Sequence, residues 1–169
     1  MAARRLMEAL NNSGVKAKML VRDKETSHIS VCRLPHAWRQ RWHFLWERWC
    51  LFCHLHFSRR HLFEIDMANA GTDITRLPEF AEADIIHLAW VNQGMLSLQD
   101  MRKIMDSGKP VVWTMHDMWP ATAICHLTLG CQRFRTQCGD CPYLPGHAEH
   151  DLATRVWRRK ARLLRGRQI

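Results

Sequence analysis

Two hydrophobic periods alternate along this chain, and together they predict an α/β domain. Residues 2–14, AARRLMEALNNSG, place Leu6, Met7 and Leu10 at helical spacing before Asn and Gly, which predicts a helix ending in a turn. A strand is expected in 15–21, VKAKMLV. The segment 62–80, LFEIDMANAGTDITRLPEF, predicts a short strand and a polar loop that Pro78 closes. Residues 83–90, ADIIHLAW, predict a buried strand. In 97–107, SLQDMRKIMDS, Ser97 and Asp100 form a capping signal, Leu98, Met101, Ile104 and Met105 line one face, and Gly108 ends the helix. A second compact strand, PVVWTMHD (110–117), follows, and a helical connection between two strands predicts parallel pairing.

The most unusual pattern lies in 36–63, predicted as an aromatic, basic, amphipathic helix. Trp38, Trp42, Leu45, Trp46, Trp49, Phe52 and Cys53 fall on one face, and Gln40, His43, Glu47 and His54 oppose them. Arg39, Arg41, Arg48, Arg59 and Arg60 flank or follow the stripe. Such a face suits the core, a partner domain, or a membrane interface with rings at headgroup level. A strongly basic helix is expected at 149–165, with Leu152, Val156 and Leu163 as its apolar positions and its arginines and lysines on a solvated face or a nucleic-acid contact.

Ligands of parallel sheets gather at the carboxyl ends of the strands, which here carry His87 to Trp90 and His116 to Trp119. His116 and Asp117 are therefore the leading site candidates, beside the reading of a strand-end His as a structural hydrogen-bonding residue.

Between 117 and 146 the chain holds Cys125, Cys131, Cys138 and Cys141 in the spacing C-x5-C-x6-C-x2-C. A CxxC turn with Gly139 inside it can aim two sulfurs at one centre, and the two earlier cysteines can complete a tetrahedral, structural zinc site. His116 or His126 could replace a cysteine, an iron–sulfur cluster is an alternative, and four unligated thiols are another. Cys32, Cys50 and Cys53 are expected to pack.

Charge changes the picture of partners only modestly. The 25 Lys and Arg against 16 Asp and Glu give +9, which favours polyanions. No apolar run approaches the ~20 residues of a membrane span, and MAARRLMEAL lacks a secretory core. A cytoplasmic location, or one on the inner membrane face, is expected, with the cysteines reduced. A small zinc-containing nucleic-acid module is the rival class, although no recognition motif for nucleic acid is present.

The run from ADIIHLAW through PVVWTMHDMWPATAICH, then CQRFRTQCGDCPYL and DLATRVWRRK, resembles the amino-terminal half of bacterial family 4 glycosyltransferases of GT-B fold. The similarity is clearest over 84–160, and LMEALNNSGVKAKMLV is similar to the family's first helix and second strand. It implies that 1–169 is an incomplete Rossmann-like domain: a partial parallel sheet flanked by helices, with a four-cysteine loop. It also implies retaining transfer from a nucleotide sugar to a glycan or lipid-linked acceptor. The amino-terminal half would bind the acceptor through His87, Trp90, Asp117 and Trp119. His116 would reach toward the donor sugar, and a carboxy-terminal domain would hold the nucleotide. The family's opening strand with its glycine-rich loop is not found before Met1. His87-Leu88-Ala89-Trp90 and Thr122-Ala123-Ile124-Cys125 depart from its usual His-x-His-Trp and Thr-Gly-Gly-Cys. These residues alone are expected to transfer no sugar.

Overall fold

The computed structural model of the chain describes residues 2–167. In chain order it contains α1 (Ala2–Asn12), β1 (Met19–Val21), β2 (Val31–Arg33), α2 (Ala37–His54), α3 (Pro78–Glu82), β3 (Ile86–Leu88), α4 (Leu98–Asp106), β4 (Val111–Trp113) and α5 (Leu152–Leu164). The architecture is α/β, with β1 parallel to β2 and β3 parallel to β4 in separate two-stranded sheets flanked by helices.

The β3–α4–β4 unit forms as its pattern predicts. The Ser97 hydroxyl accepts from the Asp100 N–H and the Asp100 carboxylate accepts from the Ser97 N–H, so a reciprocal cap starts α4. Met101 and Ile104 are fully buried on its inner face, and Gly108, at φ 80°, turns the chain into β4. The strands then pair Ile86 with Val111 and Leu88 with Trp113. One core surrounds this unit, with Leu88, Met101, Ile104, Trp119 and Leu163. A second lies under the cysteine-rich segment, with Leu51, Ile65, Ile124, Tyr143 and Val156. Helix α5 serves both, through Leu163 in the first and Val156 in the second.

Three expectations change. The strand anticipated within 62–80 is reduced to one antiparallel bridge, Ile65 with Cys125. Only Met19–Val21 of the anticipated 15–21 strand pairs. The helix anticipated over 36–63 runs Ala37–His54, because left-handed backbone at His56 (φ 51°) and Phe57 (φ 62°) breaks it into turns.

The larger correction concerns which side of α2 faces inward. Trp38, Trp42, Trp46 and Trp49 are 63%, 64%, 56% and 54% exposed, whereas Gln40, Glu47, Arg48 and Leu51 are buried. Gln40 and Arg48 find polar partners there, whereas the Glu47 carboxyl is buried without a hydrogen bond among the described residues. Gln40 Nε2 donates to Thr72 Oγ1 (2.6 Å), and Arg48 donates to the Leu62 carbonyl (2.6 Å) and to Asp66 Oδ2 (3.1 Å). Burial of a polar side chain is tolerated where its hydrogen bonds are supplied, so a helix can present its polar stripe to the core. The 91–96 turn rests against the same helix: a Cβ on Gly94 (φ +79°) would stand 2.6 Å from the Phe44 nitrogen. Cys53, expected to pack, is exposed on the outer side.

Helix α5 carries a related surprise. Lys160, expected on a solvated face, is buried in line with Leu152, Val156 and Leu163. Its ammonium donates to the carbonyls of Trp119 (2.6 Å) and Thr122 (3.1 Å) and lies 3.1 Å from the Trp119 ring centroid. Burial pushes its pKa well below the usual lysine value. No helix among the described residues is long and apolar enough to cross a membrane.

Candidate functional site

The segments leaving β3 and β4 meet at a cleft of about 300 Å³ lined by Phe63, Glu64, Trp90, Asp117, His126, Leu127 and Tyr143. Its position beyond the carboxyl ends of parallel strands is where such sheets bind ligands. Asp117 organises the site. Its Oδ1 accepts from the Trp119 N–H (2.8 Å), and its Oδ2 accepts from Trp90 Nε1 (3.2 Å) and faces His126 Nδ1 at 2.7 Å. His126 is placed by backbone pairing beside the Ile65–Cys125 bridge: its N–H donates to the Glu64 carbonyl (3.1 Å), and its carbonyl accepts from the Met118 N–H (3.0 Å).

A carboxylate on Nδ1 favours the tautomer that leaves Nε2 of a neutral imidazole as an acceptor. His126 Nε2 makes no hydrogen bond with the described residues. The Trp90 and Phe63 rings, 45% and 61% exposed, supply apolar surface on the same cleft. Tyr143 donates its hydroxyl to the Leu127 carbonyl (2.7 Å), and burial pushes its pKa up to about 12, so it stays a neutral wall. Chemically, the cleft combines aromatic faces with two carboxylates and an imidazole.

Of the site residues anticipated from sequence, Trp90 and Asp117 line this cleft. His116 is exposed outside it, and His87 Nε2 lies 2.7 Å from Thr114 Oγ1, joining the two strand ends. Trp119, expected to bind the acceptor, is a core residue. It is 0% exposed, its indole N–H donates to the Asp66 carbonyl (2.8 Å), and its ring covers Lys160. Glu64, Phe63 and Tyr143 were missed; nothing local marks them, because Phe63 and Glu64 lie beside the long-range Ile65–Cys125 bridge and Tyr143 is tied to the cleft through the Leu127 carbonyl.

Cys125, Cys131, Cys138 and Cys141 line a second, smaller cavity of about 20 Å³, room for roughly one water-sized sphere. The CxxC turn is held from outside: Arg133 donates to the Gly139 carbonyl (3.1 Å) and to Asp140 (2.7 Å), and the Cys141 N–H donates to Asp151, which also caps α5. Gly139 is required by crowding, since a Cβ there would meet Thr154 Oγ1 at 2.9 Å. Burial first, then neighbouring sulfurs, pushes Cys138 up to about 11 and Cys141 up to about 12. Four thiol donors on one small cavity fit zinc in type and number. Their spacing is not that of a closed ligand set: among the described residues no three His, Cys, Asp or Glu side chains stand close enough to hold a metal ion.

Comparison with curated proteins shows a partial similarity. The putative colanic acid biosynthesis glycosyl transferase WcaC of Escherichia coli (strain K12) is 35% identical over 63 residues. The match covers 36% of this chain and 15% of the relative, so the chain spans a small part of that protein. No protein-family model and no solved structure matches the chain.

Proposed function

We propose that these residues form the acceptor side of a glycosyltransferase of GT-B fold acting in polysaccharide biosynthesis. The observation that carries this is the cleft beyond β3 and β4, in which the exposed Trp90 indole adjoins the Asp117–His126 pair and Glu64. A sugar ring offers an apolar face to an aromatic side chain and hydroxyl donors to carboxylates, and this lining provides both. The similarity to the colanic acid glycosyl transferase supports the same class. Two carboxylates in the cleft disfavour phosphate, which weakens the nucleic-acid reading despite the +9 charge.

In this proposal a glycan or lipid-linked saccharide stacks on Trp90. Asp117 holds His126 in orientation, and His126 Nε2 accepts a hydrogen bond from an acceptor hydroxyl. His116, exposed outside the cleft, reaches toward the donor sugar, and His87 braces the strand ends through Thr114. The nucleotide sugar belongs to a carboxy-terminal domain, and the transfer retains configuration at the sugar's anomeric carbon.

Acceptor oligosaccharide titrated into the protein should perturb Trp90 indole and His126 ring resonances in NMR spectra. Trp90→Ala should weaken binding about tenfold, the order of a lost aromatic contact, whereas His87→Ala, outside the cleft, should leave it nearly unchanged. Saccharide binding unaffected by Trp90→Ala would reject the cleft as the acceptor site.

A structural zinc on the four cysteines belongs to the same proposal. Bound there, the ion would supply the positive charge that lets buried sulfurs exist as thiolates and would order residues 117–146. Elemental analysis of reduced protein should find about one equivalent of zinc, lost in Cys138→Ser and Cys141→Ser. Less than about half an equivalent in the parent protein would defeat the four-thiolate site.

A further inference from the structure

We infer that the outward face of α2 is a docking surface for anionic lipid bilayers. Trp38, Trp42, Leu45, Trp46 and Trp49 recur at helical spacing, and each is more than half exposed. The aromatic surface continues past the helix, with Phe52 stacked at an angle on Trp49 (6.1 Å) and edge-on to the exposed Phe57 (5.5 Å). An 18-residue helix is about 27 Å long, so the stripe is a ridge rather than a spot. Folding leaves these rings in water while it buries Gln40, Glu47 and Arg48 on the opposite side. Hydrophobic burial within the described residues therefore gives no account of them.

Charge identifies the occupant. By helical geometry Arg39 and Arg41 flank the ridge on its two sides, and Arg59 and Arg60 follow it, all four exposed. Arg39 lies over the Trp38 ring at 5.9 Å. None of the four forms an ion pair with a described residue. The single acidic residue of α2, Glu47, is fully buried, so the outward face of the helix carries no negative charge. Tryptophan and arginine together suit the headgroup layer, where indoles sit at the polar–apolar boundary and guanidinium groups meet lipid phosphates. A protein partner covering the same ridge would need acidic groups for the arginines, and a second copy would set arginine against arginine. The surface binds lipid whether or not the cleft binds sugar, so failure of one reading leaves the other standing.

The test is flotation of the protein with vesicles of phosphatidylethanolamine and phosphatidylglycerol, beside vesicles of phosphatidylcholine alone. Binding should be confined largely to the anionic vesicles and should fall as salt is raised. Arg39→Gln and Arg41→Gln should each weaken it about fivefold, and the combined Trp42→Ser, Trp46→Ser, Trp49→Ser variant by at least about tenfold. These side chains are exposed, so the variants should keep the parent's far-UV circular dichroism and melting temperature. Folded parent protein that stays at the bottom of the gradient would overturn the proposal. So would equal binding to both vesicle types, or a concentration-dependent dimer abolished by the tryptophan variant with no lipid binding.

Discussion

Replacing Asp66 with alanine should remove about 3–5 kcal/mol of folding stability, the range for breaking a buried ion pair on one side. Asp66 is 0% exposed and joins segments distant in sequence. Its Oδ2 accepts from Arg48 of α2 (3.1 Å) and from the Gln93 N–H (2.8 Å), and its Oδ1 accepts from the Ala68 N–H (3.0 Å). Its backbone N–H donates to the Ile124 carbonyl (2.7 Å), and its carbonyl accepts the Trp119 indole. Ala68 and Gln93 hold left-handed backbone, φ 47° and 55°, which their bonds to Asp66 help secure. Losing the carboxylate strands the Arg48 guanidinium in the core and frees both strained positions. Urea denaturation measures the loss. Asp23→Ala is the control: Asp23 pairs with Arg22 at the surface, and its removal should change stability by less than about 0.5 kcal/mol. Equal, small effects of the two variants would show that Asp66 organises nothing.

Glu47→Gln should make the protein more stable at neutral and alkaline pH. Neither Glu47 carboxyl oxygen accepts a hydrogen bond, Arg48 is 3.8 Å away, and Asp66 presents a second carboxylate. Burial, then the Asp66 charge, pushes the Glu47 pKa from 4.5 up to about 9. The folded protein thus holds a proton that the unfolded chain releases. For this group stability is full below about pH 4.5 and declines as pH rises to about 9, with a slope approaching about 1.4 kcal/mol per pH unit. Glutamine keeps the shape and a donor toward Asp66 without the titration. Denaturation at pH 5, 7 and 9 should show nearly equal stabilities at the acid end and a widening advantage for the variant above it. Parallel profiles for the two proteins would mean that Glu47 is already ionised in the fold.

The β3–α4–β4 unit was legible because each of its signals is local. Ser97, Asp100 and Gly108 mark the ends of α4, and short apolar runs mark the strands, so no distant contact is needed to choose among alternatives. Helix α2 was legible as a helix but not in its orientation. Its most apolar stripe is the outer one, and on the inner side Gln40 finds a partner in Thr72 while Arg48 finds partners in Asp66 and the Leu62 carbonyl. Those partners lie many residues away, where periodicity carries no information. Lys160 escaped notice for a similar reason: it shares a spacing with Val156 and Leu163, but its acceptors are backbone carbonyls near Trp119. In the cleft, strand-end logic found Trp90 and Asp117, while Glu64 and Tyr143 arrive by tertiary contact.

Tyr143 borders the cleft on one side and the cysteine-lined cavity on the other. A residue there must satisfy two neighbourhoods at once, so drift at this position is doubly constrained. A change of shape on the cleft side of this ring would therefore be felt by the cysteine-lined cavity behind it.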